Sequence, residues 1–179
     1  MGAATGAFLS RTGLGPGWSC LDVGCGGGQV TIHLAQAVGP RGRVVGLDLD
    51  ATALELVREA AVRAAVRVEL VRADASSPVE REAFDLAFAR LVLSHLVDPV
   101  ASLRAMRDAV RPGGVVAVED LHTGTLRCEP PRAALDRLQD LYCATVRAHG
   151  GDPTIGLVCR RWSPPSGSRT LTSRPWRTP

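Results

Sequence analysis

A glycine-rich loop between a short apolar strand and an amphipathic helix constrains this sequence more than any other feature. Residues 19–23, Ser-Cys-Leu-Asp-Val, form an apolar run, and four of the next five residues, 24–28, are glycines. Val30, Leu34 and Val38 then recur at the spacing of four that is typical of one helix face. Glycines directly after a strand let the backbone approach a ligand that a Cβ atom would exclude. The stretch therefore predicts a strand, a ligand-binding loop and a helix, in that order.

The alternation of strand-like and helix-like patterns continues along the chain. Further strand-like runs are residues 43–48, 67–73, 84–89 and 115–118. Amphipathic segments separate most of these runs, and residues 132–148 add another helix. Such an alternation is typical of a parallel sheet covered by helices on both faces. We therefore predict an α/β fold with a doubly wound, mainly parallel sheet, in which ligands bind at the carboxyl ends of the strands.

Three classes of nucleotide-binding loop use such glycines, and the sequence distinguishes between them. The phosphate-binding loop needs a lysine, whereas all 21 basic residues of this chain are arginines. The dinucleotide motif G-x-G-x-x-G, counted from Gly24, would place glycine where the chain has Gln29. Asp22 precedes Gly24 by two residues, and its carboxylate would gain nothing beside an anionic pyrophosphate. The pattern favours a ligand that carries positive charge.

Four segments together resemble the signatures of class I S-adenosylmethionine-dependent methyltransferases. They are Leu-Asp-Val-Gly-Cys-Gly-Gly-Gly at 21–28, Val-Gly-Leu-Asp at 45–48, Arg-Ala-Asp-Ala at 72–75 and Arg-Pro-Gly-Gly at 111–114. The resemblance covers roughly residues 14–120 and implies a Rossmann-like fold with S-adenosyl-L-methionine as cofactor. This cofactor carries an ammonium and a sulfonium group and no phosphate, which suits the carboxylate of Asp22.

The resemblance also implies contacts to the methionine portion of the cofactor. Gly24, Cys25 and Gly26 would pass under that portion. Asp22 would lie near its ammonium group. Arg90, directly after the fourth strand, matches a position that commonly lines the methionine end.

For the nucleoside portion, the resemblance implies that Asp48 binds the two ribose hydroxyls. Asp74 matches the residue that usually meets the adenine amino group, and Leu49 and Ala75 would flank the ring. Asp74 has a structural alternative, because an aspartate just before Ser76 can also cap a local turn through its side chain.

The methyl acceptor has no comparable motif. Methyl transfer from a sulfonium gains most of its acceleration from alignment, so a general base is optional. His95 is either a base toward a substrate hydroxyl or a packing residue, and Glu119 and Asp120 are either substrate-side acids or solvated carboxylates. We therefore assign no catalytic residue and predict methyl transfer to an unidentified small-molecule acceptor. An inactive cofactor-binding remnant and a nicotinamide-dependent oxidoreductase are the alternatives.

Charge and composition limit the classes of partner that we expect this chain to bind. Five arginines and no acid follow Asp152, so residues 1–152 hold 16 arginines and 18 acidic residues, a net charge of −2. A slightly acidic body is a poor match for a phosphate backbone. The five cysteines and four histidines lack metal-ligand spacing, and no apolar run reaches membrane-spanning length. We expect no nucleic-acid partner, no metal, no membrane and a cytoplasmic location.

Both ends of the chain depart from the family pattern. Only about 18 residues precede the first strand, so we expect the N-terminal helical cover of the cofactor to be missing. After residue 158 the sequence shows neither helix nor strand periodicity, so we expect the last two strands of the family to be missing as well. The core would span residues 1–158, and residues 159–179 would be a disordered tail or the product of a reading-frame change. An uncovered fifth strand would make the protein poorly soluble.

Overall fold

A six-stranded sheet, parallel at every described strand pair, forms the centre of the molecule. The computed structural model describes residues 2–77, 79–156 and 169–172. The strands are β1 (Ser19–Val23), β2 (Arg43–Asp48), β3 (Glu69–Arg72), β4 (Phe84–Arg90), β5 (Val110–Glu119) and β6 (Arg169–Thr172). Their order is β3-β2-β1-β4-β5-β6, so the direction of winding reverses between β1 and β4. The predicted α/β, doubly wound, Rossmann-like fold is confirmed.

Helices and short 3₁₀ turns connect the strands. The helices of the described part are α1 (Ala3–Ser10), α2 (Gln29–Val38), α3 (Ala51–Ala64), α4 (Pro99–Ala109) and α5 (Ala133–Ala148). Asp50 caps the start of α3 by accepting a hydrogen bond from the Thr52 amide at 2.8 Å. Asp98 caps α4 in the same way through the Ala101 amide at 2.9 Å. Such side-chain caps satisfy amides that the first helical turn leaves free.

Alternate residues of the strands pack on opposite faces of the sheet, as the strand period of two requires. One face is covered by α4, with buried side chains that include Leu21, Val45, Ala87, Leu103 and Met106. The other face is covered by α1 and α2, with buried side chains that include Phe8, Leu9, Leu34, Val44 and Phe88. The sheet is thus apolar on both faces, and its polar chemistry is confined to its ends.

Helix α1 lies in the segment before β1, for which the sequence analysis predicts no element. Phe8 and Leu9 are buried against the sheet, and the Phe8 ring lies 6.1 Å from the ring of Phe88. Helix α1 has no side-chain cap, and it contains Gly6. Tertiary packing thus stabilises a short helix that local propensity does not reveal, and the expected loss of the cofactor's helical cover stays a prediction.

The edge of the sheet next to β5 also differs from the expectation. Strand β6 pairs in parallel with β5, with Val115 opposite Arg169 and Val118 opposite Thr172. The expectations of no strand after residue 158 and of an uncovered β5 are therefore wrong for this segment, and the argument for poor solubility loses its basis. Main-chain hydrogen bonds hold an edge strand without a strong hydrophobic pattern. The rest of the proposed tail, residues 159–168 and 173–179, lies outside the described residues, so the domain boundary stays a prediction.

Helix α5 has the predicted apolar side, but most of that side is exposed. Leu138 and Leu141 expose 63% and 68% of their surface, whereas Val146 is buried. The helix contacts the fold through Gln139, whose side chain donates to the Thr123 carbonyl at 2.9 Å, and through Cys143, whose thiol lies 3.3 Å from the Thr123 hydroxyl. The helix is therefore anchored by one face that combines Gln139, Cys143 and Val146, while the leucines beside that face stay exposed.

Candidate cofactor site at the carboxyl ends of the strands

The glycine loop follows β1 and is fixed to the end of β2. The Cys25 amide donates to the Leu47 carbonyl at 3.0 Å, and Cys25 itself is buried. Gly24 and Gly26 have φ angles of +66° and +49°, which side chains rarely adopt. A Cβ atom on Gly24 would collide with the Val92 side chain, whereas one on Gly26 would meet nothing within 4 Å. Packing thus requires Gly24, and Gly26 borders open space.

Asp22 is a buried carboxyl behind this loop, with only 2% of its surface exposed. The Thr31 hydroxyl, on the first turn of α2, donates to its Oδ2 atom at 2.6 Å. Burial raises the pKa of Asp22 to about 7, and the nearby Asp48 adds to this effect. The hydrogen bond from Thr31 and the charge of Arg90 oppose it. The carboxyl is therefore held near its titration point close to neutral pH.

Asp48 ends β2 and binds backbone amides with both carboxylate oxygens. Its Oδ2 accepts from the Gly26 amide at 2.8 Å, and its Oδ1 accepts from the Asp50 amide at 3.0 Å. Each oxygen of a carboxylate can accept more than one hydrogen bond. Asp48 therefore fixes the tip of the glycine loop and keeps acceptor capacity for two ligand hydroxyls.

Three of the predicted site residues lie just beyond the ends of β2 and β3, namely Leu49, Asp74 and Ala75. A hydrogen bond from the Ala73 amide to the Asp48 carbonyl, at 3.1 Å, joins the two strand ends. Oδ1 of Asp74 accepts from the Ser76 amide at 2.8 Å and from its hydroxyl at 2.5 Å. These bonds lower the pKa of Asp74.

The local turn that the sequence analysis gave as an alternative for Asp74 is thus present. It occupies one carboxylate oxygen, and the other has no hydrogen bond within the described ranges. Leu49 exposes 62% of its surface, and Ala75 is half-buried. Leu49 therefore offers an exposed apolar side chain, and Asp74 keeps one carboxylate oxygen as an acceptor for a ligand.

Arg90 and Glu119 are directly opposite each other at the carboxyl ends of β4 and β5. The Arg90 Nε atom lies 3.8 Å from Oε2 of Glu119. The other oxygen of Glu119 accepts a hydrogen bond from the Thr5 hydroxyl of α1 at 3.1 Å. The sequence left two roles open for Glu119, a substrate-side acid or a solvated carboxylate. The second is wrong, because only 18% of the side chain is exposed.

Sequence reasoning missed Thr5 and Thr31. Thr31 follows Asp22 by nine residues, on the first turn of the helix after the loop, so its position near Asp22 follows from the predicted strand, loop and helix. Thr5 gave no signal, because its partner Glu119 is 114 residues away in the chain. Contacts of that range depend on the assembled sheet.

The loops that follow β4 and β5 contain the two other residues considered from the sequence, His95 and Asp120. His95 is exposed in a 3₁₀ turn, and its ring meets the edge of the Tyr142 ring with a centroid separation of 6.1 Å. Asp120 accepts from the amides of Ser94 and Leu121, at 3.1 and 2.8 Å, so its carboxylate organises the loop. In the described ranges, no three His, Cys, Asp or Glu side chains form a metal-binding group. No helix of that part of the chain is long and apolar enough to cross a membrane.

Comparison with known proteins agrees with this geometry. The sequence matches the family described as a methyltransferase domain over residues 21–118, more than half of the chain. The chain belongs to this methyltransferase family. The match spans β1 to β5 and includes the glycine loop, Asp48, Asp74 and Arg90.

Individual relatives are consistent with the family. A demethylmenaquinone methyltransferase of Staphylococcus aureus is 36% identical over 119 residues, which cover 66% of this chain and 49% of that protein. A SAM-dependent methyltransferase structure from Aquifex aeolicus aligns with a TM-score of 0.63 at 23% identity, covering 72% of this chain and 69% of that one. An S-adenosylmethionine-dependent methyltransferase from Mesorhizobium loti aligns with a TM-score of 0.55 at 29% identity, covering 63% and 51%.

The chain spans about half the length, or less, of the curated relatives that it matches. Within that span, the class I methyltransferase family and its Rossmann-like fold are confirmed. The same family and structures indicate S-adenosyl-L-methionine as the cofactor, as the sequence predicted.

Proposed function

We propose that this protein binds S-adenosyl-L-methionine at the glycine loop and transfers its methyl group to a small molecule. The observation that carries the proposal is the open space over Gly26, whose amide donates to Asp48, in a loop that begins two residues after the buried carboxyl of Asp22. A ligand with a positively charged end and a pair of hydroxyls fits such a space, and S-adenosylmethionine has both. A phosphate-bearing dinucleotide would place negative charge beside Asp22 instead.

Each predicted site residue has a role in this proposal. Asp22 would hold the ammonium group, and Gly24, Cys25 and Gly26 would lie under the methionine chain. Arg90 has the charge to hold the carboxylate of that chain.

At the other end of the ligand, Asp48 would accept hydrogen bonds from the ribose hydroxyls. Leu49 and Ala75 would flank the adenine ring, and the free oxygen of Asp74 would accept from its amino group. These roles match the chemistry of each group with the geometry of the site.

The chemistry of the reaction asks little of the chain's own acids and bases. S-adenosylmethionine, when bound, supplies a methyl group on a sulfonium centre that departs as a neutral thioether. The residues of the site would act by holding that methyl carbon in line with the acceptor nucleophile. His95 lies on the same end of the sheet, and we assign it no step in the transfer.

Two observations bear on the class of the methyl acceptor. The Staphylococcus relative is named for a small quinone acceptor, which supports a small molecule here. The net charge of −2 over residues 1–152 gives no support for a nucleic acid. An inactive cofactor-binding remnant is the first alternative and would bind the cofactor without turnover. A cytoplasmic location stays a prediction.

Replacing Asp48 with asparagine tests the cofactor site directly. The Asp48→Asn side chain keeps an oxygen for the Gly26 amide but loses the charged acceptor for the ribose. We expect the affinity for S-adenosylhomocysteine, measured by calorimetry, to fall roughly 10- to 100-fold. Asp50→Asn is the matched control, because asparagine caps a helix as well as aspartate does and affinity should stay unchanged.

Three results would count against the proposal. They are no binding by the folded wild-type chain, equal losses in Asp48→Asn and Asp50→Asn, and saturable binding of a nicotinamide dinucleotide at the same site. The last would favour the oxidoreductase alternative.

A further inference from the structure

Three polar side chains from distant parts of the sequence lie in a row at the proposed methionine end of the site, and we call this row the polar chain. The Thr5 hydroxyl donates to Glu119 Oε1 at 3.1 Å, and Glu119 Oε2 faces Arg90 Nε at 3.8 Å. Thr5 is 2% exposed, so this contact is closed to solvent. The polar chain therefore runs from helix α1, through the end of β5, to the end of β4.

The link between Arg90 and Glu119 is incomplete. Both Arg90 Nε and Glu119 Oε2 are buried, and neither has a hydrogen-bond partner in the part of the chain that the structure describes. A separation of 3.8 Å is too long for a hydrogen bond between them. Buried polar atoms are nearly always paired in folded proteins, so the unpaired Nε of Arg90 points to a ligand group that accepts from it, while the nearby Glu119 carboxylate attracts the guanidinium.

The backbone fixes where Arg90 can reach. Leu91, the next residue, has a φ of +57°, and its amide donates to the Glu119 carbonyl at 2.8 Å. The positive charge of Arg90 also lowers the pKa of Asp22, so the guanidinium lies within electrostatic reach of that carboxyl. Arg90 is thus within electrostatic reach of two acidic side chains, Asp22 and Glu119.

We propose that Glu119, oriented by Thr5, is a positioning residue that holds Arg90 toward the carboxylate of the cofactor's methionine portion. Glu119 attracts the guanidinium away from Asp22, which leaves Asp22 free to bind the ammonium group. Helix α1 is then coupled to cofactor binding through one hydrogen bond. This inference rests on the proposed function, since it concerns the same site.

The test uses two ligands that differ only at the methionine end. S-adenosylhomocysteine carries an aminocarboxypropyl chain on its sulfur, whereas 5′-methylthioadenosine carries only a methyl group there. Thr5→Val removes the hydroxyl at nearly constant volume. We expect its affinity for S-adenosylhomocysteine to fall about three- to tenfold, with less than about a twofold change for methylthioadenosine. Thr5→Ser should restore the wild-type values.

Two further variants separate positioning from helix stability. Ser10→Ala removes a hydroxyl from the same helix that bonds only the Ala7 carbonyl at 2.9 Å, and it should leave both affinities unchanged. Glu119→Gln keeps an acceptor for Thr5 but loses the attraction for Arg90, so it should show the same ligand-selective loss. Melting temperatures of all variants report whether each one folds.

The outcomes are distinguishable. Equal losses for both ligands would show a merely structural role for Thr5 and overturn the inference, as would unchanged affinity in both Thr5→Val and Glu119→Gln. In either case the proposed function stands if Asp48→Asn weakens binding of both ligands. A folded wild-type chain that binds neither ligand would overturn the proposed function and this inference together.

Discussion

Replacing Asp22 with asparagine is expected to stabilise the free protein at pH 8 and to remove most of its affinity for S-adenosylhomocysteine. The pKa of Asp22 is about 7 in the folded chain against an ordinary value of 3.8, chiefly because of burial. The folded chain therefore keeps a proton that the unfolded chain releases between about pH 4 and pH 7. The free energy of unfolding of the wild-type protein falls over that interval as the pH rises, and it stays low above pH 7.

Asparagine removes this cost because it never ionises, and its side-chain oxygen still accepts from Thr31. At pH 8 the Asp22→Asn variant should be more stable than wild type by roughly 2–4 kcal/mol, with little difference at pH 4. The same change removes the carboxylate proposed to hold the ammonium group. Loss of one partner of a buried charge pair costs about 2–5 kcal/mol, so affinity should fall roughly 100-fold or more.

Urea unfolding at pH 4 and pH 8, with calorimetric titration at pH 8, measures both effects. Asp85→Asn is the matched control, because Asp85 is also buried but accepts from the Ser19 amide at 2.8 Å and forms an ion pair with Arg111. That variant should be less stable than wild type and should keep wild-type affinity. An Asp22→Asn protein that is less stable than wild type at pH 8, or that binds with wild-type affinity, would contradict the argument.

The wild-type affinity should itself depend on pH. An ionised Asp22 is the form that attracts an ammonium group, so binding should strengthen as the pH rises from 6 to 8. In Asp22→Asn this dependence should disappear. The buried charge of Asp22 thus lowers the stability of the free chain, and the same charge is proposed to bind the ammonium group in the complex.

Most residues of the proposed cofactor site could be predicted from short segments of the sequence. Asp22 and the glycines lie within seven residues of one another, and Asp48 and Asp74 each follow a strand, so strand prediction alone places them at one edge of the sheet. A parallel sheet brings all of its carboxyl ends together, whatever the sequence between them. For this reason the amino-acid sequence alone already suggests the cofactor.

Elements held only by long-range contacts could not be predicted. Helix α1 is stabilised by Phe8 against Phe88, and Thr5 by a partner 114 residues away. Strand β6 depends on main-chain hydrogen bonds to β5, which most sequences can make and which leave no side-chain pattern to recognise. The apolar periodicity of α5 gave the right helix, but periodicity alone does not show that Gln139 and Cys143 provide its anchor.

Replacing Gly26 with alanine is expected to remove cofactor binding at little cost in stability, whereas Gly24→Ala should unfold the loop. The two glycines share a positive φ but differ in surroundings. A Cβ atom on Gly26 enters open space, which is the space that the methionine chain is proposed to occupy. The backbone strain of Gly26→Ala costs about 1–2 kcal/mol, and the blocked space should lower affinity for S-adenosylhomocysteine by roughly 100-fold or more.

Gly24→Ala adds a collision with the Val92 side chain to the same strain, so its stability should fall by about 2–5 kcal/mol. Gly113→Ala is the control for strain alone, because its φ is +82° and its Cβ atom would meet nothing within 4 Å. Gly113 lies near the start of β5, and so at the end of the sheet opposite the carboxyl ends that form the site. The Gly113→Ala variant should lose as much stability as Gly26→Ala and keep full affinity.

The comparison of Gly26→Ala with Gly113→Ala decides what the open space is for. If only Gly26→Ala loses affinity, the added methyl group acts by filling a binding site. If both variants bind equally well, the space over Gly26 holds no ligand and the cofactor lies elsewhere. If both lose affinity in proportion to stability, the stability of the whole fold and not the shape of the glycine loop governs binding, and the proposed contact with the methionine chain is wrong.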